Sequence, residues 1–202
     1  MIENQLRPVG VSDPLLLDAM GSVAREQFVP EESRPLAYVD RSLPIGEGRS
    51  LAAPEVLGQL LTQMAPKPGE KALVVGAGTG YSAAVLAAIG CEVAALESSP
   101  SLAARTRELG IKVAEGPLEA GHKAGAPYDL ILIDGAVEFI PDAIVQQLAD
   151  GGRLGAALAE NGITRLIVGQ KVGGAFGYLS IADTAVAPLP GFTCPRGFRF
   201  ER

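Results

Sequence analysis

Apolar and polar positions change rhythm partway along the chain. Residues 1–50 are dense in proline and charge, with only short apolar groups between them. Within this stretch Ser12-Asp13-Pro14 reads as a helix start, because proline is tolerated near the first helical position. The helix it opens covers about 15–23. Pro54 starts a second helix, in which Val56, Leu57, Leu60, Leu61 and Met64 recur at the spacing of one helical face. Pro66-Lys67-Pro68-Gly69 ends it.

From Lys71 onward short apolar runs alternate with Ala/Leu-rich segments. Lys71–Val75 reads as a strand, followed by Gly76-Ala77-Gly78-Thr79-Gly80 and a helical run over Tyr81–Ile89. A strand at Glu92–Glu97, a helix over about 99–109 and a short strand at Ile111–Ala114 follow. Asp129–Asp134 reads as a buried strand, and Pro141 opens a helix reaching about Ala149. Asp150-Gly151-Gly152 turns the chain into a strand at Arg153–Leu158, and Ile163–Val168 with Gly177–Ala182 forms a closing antiparallel hairpin. This alternation predicts an α/β fold with a mostly parallel central sheet and right-handed crossovers. Residues 1–66 read as an N-terminal helical extension, and 67–202 as the core of one compact unit. Open sheets of this kind bind ligands beyond the carboxyl ends of their strands, where strand order reverses. The loop after Val75 is therefore the first place to look.

Composition narrows the function. The 202 residues are 48% apolar and 20% charged, which excludes a disordered chain. A net charge of −6 argues against a broad phosphate-binding surface, so no nucleic-acid partner is expected. No apolar run approaches the roughly 18 residues of a spanning helix, and MIENQLRPVG lacks the regions of a signal peptide. Cys91 and Cys194 lie far apart and form no CxxC, which favours a reducing, cytoplasmic setting. A single histidine, His122, supports no metal centre and reads as a surface residue.

The glycine loop carries the candidate chemistry. Glycine permits positive φ and close backbone approach, and the following helix offers free N–H groups. Such a loop holds either a pyrophosphate or the carboxylate of an amino-acid-like cofactor. The dinucleotide fingerprint is G-x-G-x-x-G, but here Tyr81 follows Gly80 and the pattern is G-x-G-x-G. That form resembles the first motif of S-adenosylmethionine-dependent methyltransferases. Glu97 stands 17 residues after Gly80, where a strand-end carboxylate accepts hydrogen bonds from ribose hydroxyls. Asp134 ends the later strand, and either serves the site or only caps its loop.

Nearly the whole chain resembles the protein-L-isoaspartate (D-aspartate) O-methyltransferases. The matching stretches are Met20…Val23-Ala24-Arg25-Glu26-Gln27-Phe28-Val29-Pro30, Ala37-Tyr38-Val39-Asp40, Leu43-Pro44-Ile45-Gly46, Pro68-Gly69, Val75–Tyr81, Ala126-Pro127-Tyr128-Asp129, Ile140-Pro141 and Gly151-Gly152-Arg153-Leu154. The resemblance implies a Rossmann-like class I methyltransferase fold and S-adenosyl-L-methionine as cofactor. It also implies methylation of the α-carboxylate of isoaspartyl residues in peptides or proteins, as a repair reaction. Together with the glycine-loop reading it places the cofactor at Gly76, Ala77, Gly78, Thr79, Gly80, Tyr81, Glu97, Ser98, Gly116 and Pro117 and the reacting centre at Ser50, while Asp134 joins that centre as a strand-end carboxylate the family pattern does not have.

Three positions depart from the family pattern. Where members carry a segment like G-Q-T-I-S-Q-P, this chain has Gly48-Arg49-Ser50-Leu51-Ala52-Ala53-Pro54. Ser50 keeps the hydroxyl of the family threonine, whereas Ala52 replaces the serine regarded as the active-site residue. Glu115-Gly116-Pro117-Leu118 stands where G-D-G is usual, so Pro117 brings no carboxylate to the adenine. Asp134 replaces a small neutral residue, and its charge would oppose a carboxylate substrate or accept a proton from another nucleophile. A paralogue acting on another substrate and a cofactor-binding regulatory protein are the alternatives, with an NAD-dependent oxidoreductase well behind.

Overall fold

A computed structural model describes residues 1–194. Helix α1 covers Pro14–Ser22, and the Asp13 side chain caps it by accepting from the Leu16 N–H at 2.9 Å. Strands β1 (Leu43–Gly46) and β2 (Arg49–Leu51) pair as a small antiparallel hairpin. The apolar pattern did not announce this hairpin, because its strands have only four and three residues. Its turn is Glu47-Gly48, both with positive φ (54° and 67°), the twist that suits two-residue hairpins. Helix α2 (Pro54–Met64) leads into β3 (Lys71–Val75), α3 (Tyr81–Ile89), β4 (Glu92–Glu97), α4 (Pro100–Arg107) and β5 (Lys112–Glu115). Then come β6 (Tyr128–Val137), the one-turn helix α5 (Asp142–Val145), β7 (Leu148–Glu160), β8 (Ile163–Val172) and β9 (Ala175–Asp183).

The central sheet has the order β5-β4-β3-β6-β7-β8-β9. The first five strands are parallel and the last two antiparallel, as the alternation predicted. β3 is covered on both sides, with Ala72, Leu73, Val74 and Val75 all at 0% exposure. Ala72, Val74, Leu130 and Leu132 join a core with α2, α3 and the N-terminal segment. Leu73, Val75, Ile131 and Ile133 face the opposite layer with Ile144, Leu189 and Phe192. Each of the Val, Leu, Ile and Phe side chains among them contributes about 1.5–3 kcal/mol by leaving water. Strand order reverses between β3 and β6, so the loops after these strands meet at the carboxyl edge.

Several boundaries differ from the sequence pattern: β7 already begins at Leu148, so the expected turn Asp150-Gly151-Gly152 lies within it, and β8 and β9 run longer than expected. The helix after Pro141 stops at Val145 instead of reaching Ala149, and Leu148 already pairs with Tyr128. Buried Gln147 explains the stop: its amide donates to the Ala120 and Ala143 carbonyls and accepts from His122 N–H, which fixes the chain beside a neighbouring loop. β6 does not end at Asp134 but continues to Val137. Its pairing with β7 slips between Leu132 and Ala136, so Asp134 and Gly135 occupy an irregularity.

After β9 the chain turns back as a strap along the end of β6. Ala136 N–H donates to the Ala187 carbonyl, Leu189 N–H to Ala136, and Glu138 N–H to Phe192. Leu189 and Phe192 are buried. The alternation of Phe198 and Phe200, which reads as a docked strand edge or a partner-facing flap, lies outside the described residues.

Candidate cofactor and methyl-transfer site

The loop after β3 turns back immediately. The N–H groups of Gly76 and Ala77 donate to the Leu96 carbonyl of β4, at 2.8 and 3.3 Å. Gly76, Gly78 and Gly80 all have positive φ (74°, 58° and 94°), which side-chain-bearing residues rarely adopt. The loop is pinned on two sides: Thr79 Oγ1 donates to the Phe28 carbonyl at 2.7 Å, and Thr106 Oγ1 to the Gly78 carbonyl at 3.0 Å.

Glu97, at the end of β4, is fully buried. Its Oε2 accepts from Gly78 N–H at 2.7 Å, and its Oε1 from Ser98 N–H at 2.8 Å and Ser99 N–H at 3.1 Å. Gly116 N–H donates to the Glu97 backbone carbonyl at 3.2 Å. The structure thus brings Gly76–Gly80, Tyr81, Glu97 and Gly116 to one place, with Ser98 and Pro117 exposed at its rim.

Two buried arginines were not singled out by sequence reasoning. Arg49 leaves β2 inward and donates from Nη1 to Glu97 Oε1 at 2.9 Å and from Nη2 to the Gly76 carbonyl at 2.7 Å. Ser50, the predicted site residue, is half-buried and alternates with inward Arg49 and Leu51, so it faces the other side of the hairpin. Arg25 donates to the carbonyls of Ala37 and Ala52 and lies 4.8 Å from the centre of the Tyr81 ring. Phe28 meets the same ring edge-on. Burial lowers the Arg25 pKa, opposed by Tyr81 and Asp134, and raises that of the Tyr81 phenol. The Tyr81 hydroxyl is buried with no hydrogen-bond partner among the described residues.

Asp134 accepts a hydrogen bond from the Ser82 hydroxyl at the start of α3. Burial pushes its carboxyl above the usual range, while the Ser82 bond and the charges of Arg49 and Arg25 pull it down. Ala52 sits beside Arg25 through its carbonyl. The strap reaches the same place: a Cβ at Gly76 would stand 2.9 Å from Leu189 Cδ2, and one at Gly135 would also collide with Leu189. From the hairpin, Ile45 Cδ1 lies 2.8 Å from the Cβ position of Gly78.

The donor set fits a nucleoside with an amino-acid tail. Glu97 is a strand-end carboxylate that could accept from a ribose diol, and the three glycines of the loop offer backbone without a Cβ. The space above them is held by Ile45, Arg49 and Leu189, which belong to the hairpin and the strap and not to the sheet. A glycine loop and strand-end acid at the switch point of such a sheet define a class I methyltransferase, with S-adenosylmethionine as cofactor.

Comparison with known proteins gives the family. The sequence profile of the protein-L-isoaspartate(D-aspartate) O-methyltransferases matches residues 1–176. The protein-L-isoaspartate O-methyltransferase of Methylorubrum populi is 44% identical over 160 residues, 76% of each chain. Protein-L-isoaspartate O-methyltransferase 2 of Marinobacter nauticus is 37% identical over 202 residues, covering 95% of this chain and 91% of its own. A solved protein-L-isoaspartate O-methyltransferase from Plasmodium falciparum, described as putative and in complex with S-adenosyl-L-homocysteine, superposes with a TM-score of 0.80 at 22% identity, over 92% of this chain and 95% of that one. This chain belongs to the protein-L-isoaspartate (D-aspartate) O-methyltransferase family.

Proposed function

We propose that this chain transfers a methyl group from S-adenosylmethionine to the α-carboxylate of isoaspartyl residues in peptides and proteins, as a repair step. The observation that carries the reading is buried Glu97, joined to Gly78 N–H at the strand-order switch. In this reading Glu97 takes the ribose, Gly76–Gly80 and Tyr81 the amino-acid end, and Ser98, Gly116 and Pro117 the adenine side. The extension 1–66 forms the substrate side, with Asp134 near the reacting centre and Ser50 on the hairpin face turned away from Arg49. The setting is cytoplasmic, with no nucleic acid and no membrane involved. Among the described residues no helix is long and apolar enough to cross a membrane.

The cofactor supplies an activated methyl group on a sulfonium. A carboxylate is ionised at neutral pH, so the protein needs no general base. Its work is to align the carboxylate oxygen and to exclude water. Arg25 and Arg49 supply positive charge against Asp134, which would otherwise repel such a substrate. Transfer from methyl-labelled cofactor is expected to an isoaspartyl peptide and not to its aspartyl counterpart. Equal labelling of both, or of neither while S-adenosylhomocysteine still binds, contradicts this substrate.

Asp134 also supports a second reading, a paralogue acting on an amine or hydroxyl. A carboxylate beside the methyl site would accept the proton such a nucleophile must lose.

A further inference from the structure

Arg49 occupies a position the cofactor needs. Glu97 Oε1 already receives Arg49, the Ser98 and Ser99 N–H groups and, at 3.4 Å, the Ser98 hydroxyl, and Oε2 receives Gly78. A carboxylate offers about four lone-pair sites across its two oxygens. Ribose brings two hydroxyls, and Oε2 has room for one. The other must replace a donor on Oε1. Two of those donors are backbone N–H groups fixed at the strand end, and the Ser98 hydroxyl is so distant at 3.4 Å that its departure frees little, so the Arg49 side chain at 2.9 Å is the one that yields.

The freed guanidinium cannot simply lose its partner. Arg49 is 7% exposed, and a buried charge separated from its counter-ion is strongly disfavoured. Its planar fork matches a carboxylate. Resident Asp134 feels the charge of both arginines but is bonded to Ser82 and, among the described residues, forms no ion pair with Arg49. The reactants themselves bring carboxylates into this cleft. We infer that Arg49 is a carboxylate-binding residue held in reserve by Glu97, released when ribose takes Glu97, and then paired with a reactant carboxylate. The inference rests on the cofactor reading above. The carboxylate belongs either to the amino-acid end of the cofactor or to the substrate.

Calorimetry with S-adenosylhomocysteine and with 5′-methylthioadenosine, which has the same ribose and no carboxylate, separates these sources. The proteins are the wild type, Arg49→Gln and Arg49→Lys, each checked for folding by thermal unfolding. Arg49→Gln should bind methylthioadenosine more tightly, because a competitor for Glu97 is gone. If the cofactor carboxylate is the partner, the preference for S-adenosylhomocysteine over methylthioadenosine falls by about 10–150-fold, the value of a charged hydrogen bond. If the substrate carboxylate is the partner, that preference stays and KM for an isoaspartyl peptide rises, with kcat little changed. Arg49→Lys should restore part of whichever effect is seen. Unimproved methylthioadenosine binding, or an unchanged preference together with an unchanged KM, overturns the proposal. Absence of nucleoside binding by the wild type overturns the cofactor reading and the proposal together.

Discussion

Ala52 lacks the hydroxyl of the family serine, beside the further departures at Pro117 and Asp134. Its carbonyl is held by Arg25, so the backbone position does not depend on the side chain. Because carboxylate attack needs alignment and not proton transfer, a residual rate is expected without the serine. Ala52→Ser should raise isoaspartyl methylation by up to about 10–150-fold, taking about 1.5–3 kcal/mol for a hydrogen bond to a charged group. A gain only when Asp134→Ala is added would point to the second reading, with a different substrate. Inactivity in both, with cofactor binding intact, would favour the regulatory alternative. At this scale legibility depended on sequence distance. The glycines and Glu97 follow from local pattern: a turn between strand and helix, and an acid at the next strand end. Arg49 and Arg25 had no such pattern, because their partners lie 48 and 27 residues away. Only the inward alternation of β2 brings Arg49 into the cleft.

Among elements, the sheet strands and most helices were readable because their apolar periods are long enough to show. The β1–β2 hairpin was not, since so few residues carry a period. The strap was not either, because it is held mainly by backbone bonds to β6 and two anchoring side chains. Yet these two elements cover the glycine loop, through Ile45 and Leu189. Leu189 contributes as a core side chain while filling space that a cofactor would use. Leu189→Ala should lower unfolding stability by about 2–5 kcal/mol in denaturant titration, the usual cost of such a truncation. It should also enlarge the rise in melting temperature produced by S-adenosylhomocysteine, since less must be moved aside. An unchanged melting response would show that the strap stays in place when the nucleoside binds.

For the molecule as a whole, Asp134 makes stability depend on pH. A carboxyl whose folded pKa is raised contributes stability that is complete below its unfolded value and lost as pH rises through the folded one. The window therefore opens at the ordinary value near 3.8 and extends upward. Asp134→Asn should be more stable than the wild type near neutral pH, with the advantage shrinking on acidification; melting curves across pH 4–8 give the comparison. A less stable variant at neutral pH would mean that the attraction of Arg25 and Arg49 outweighs burial. The strap has one more consequence, in the order in which the chain is made. β3 to β9 and the glycine loop all precede it in sequence. Until residues 187–192 leave the ribosome, Gly135 lacks the side chain that covers it and Gly76 is covered by Arg49 without Leu189. A growing chain would therefore present its nucleoside cleft more openly than one that already includes residues 187–192, which add Leu189 to the cover that Ile45 and Arg49 give from the hairpin.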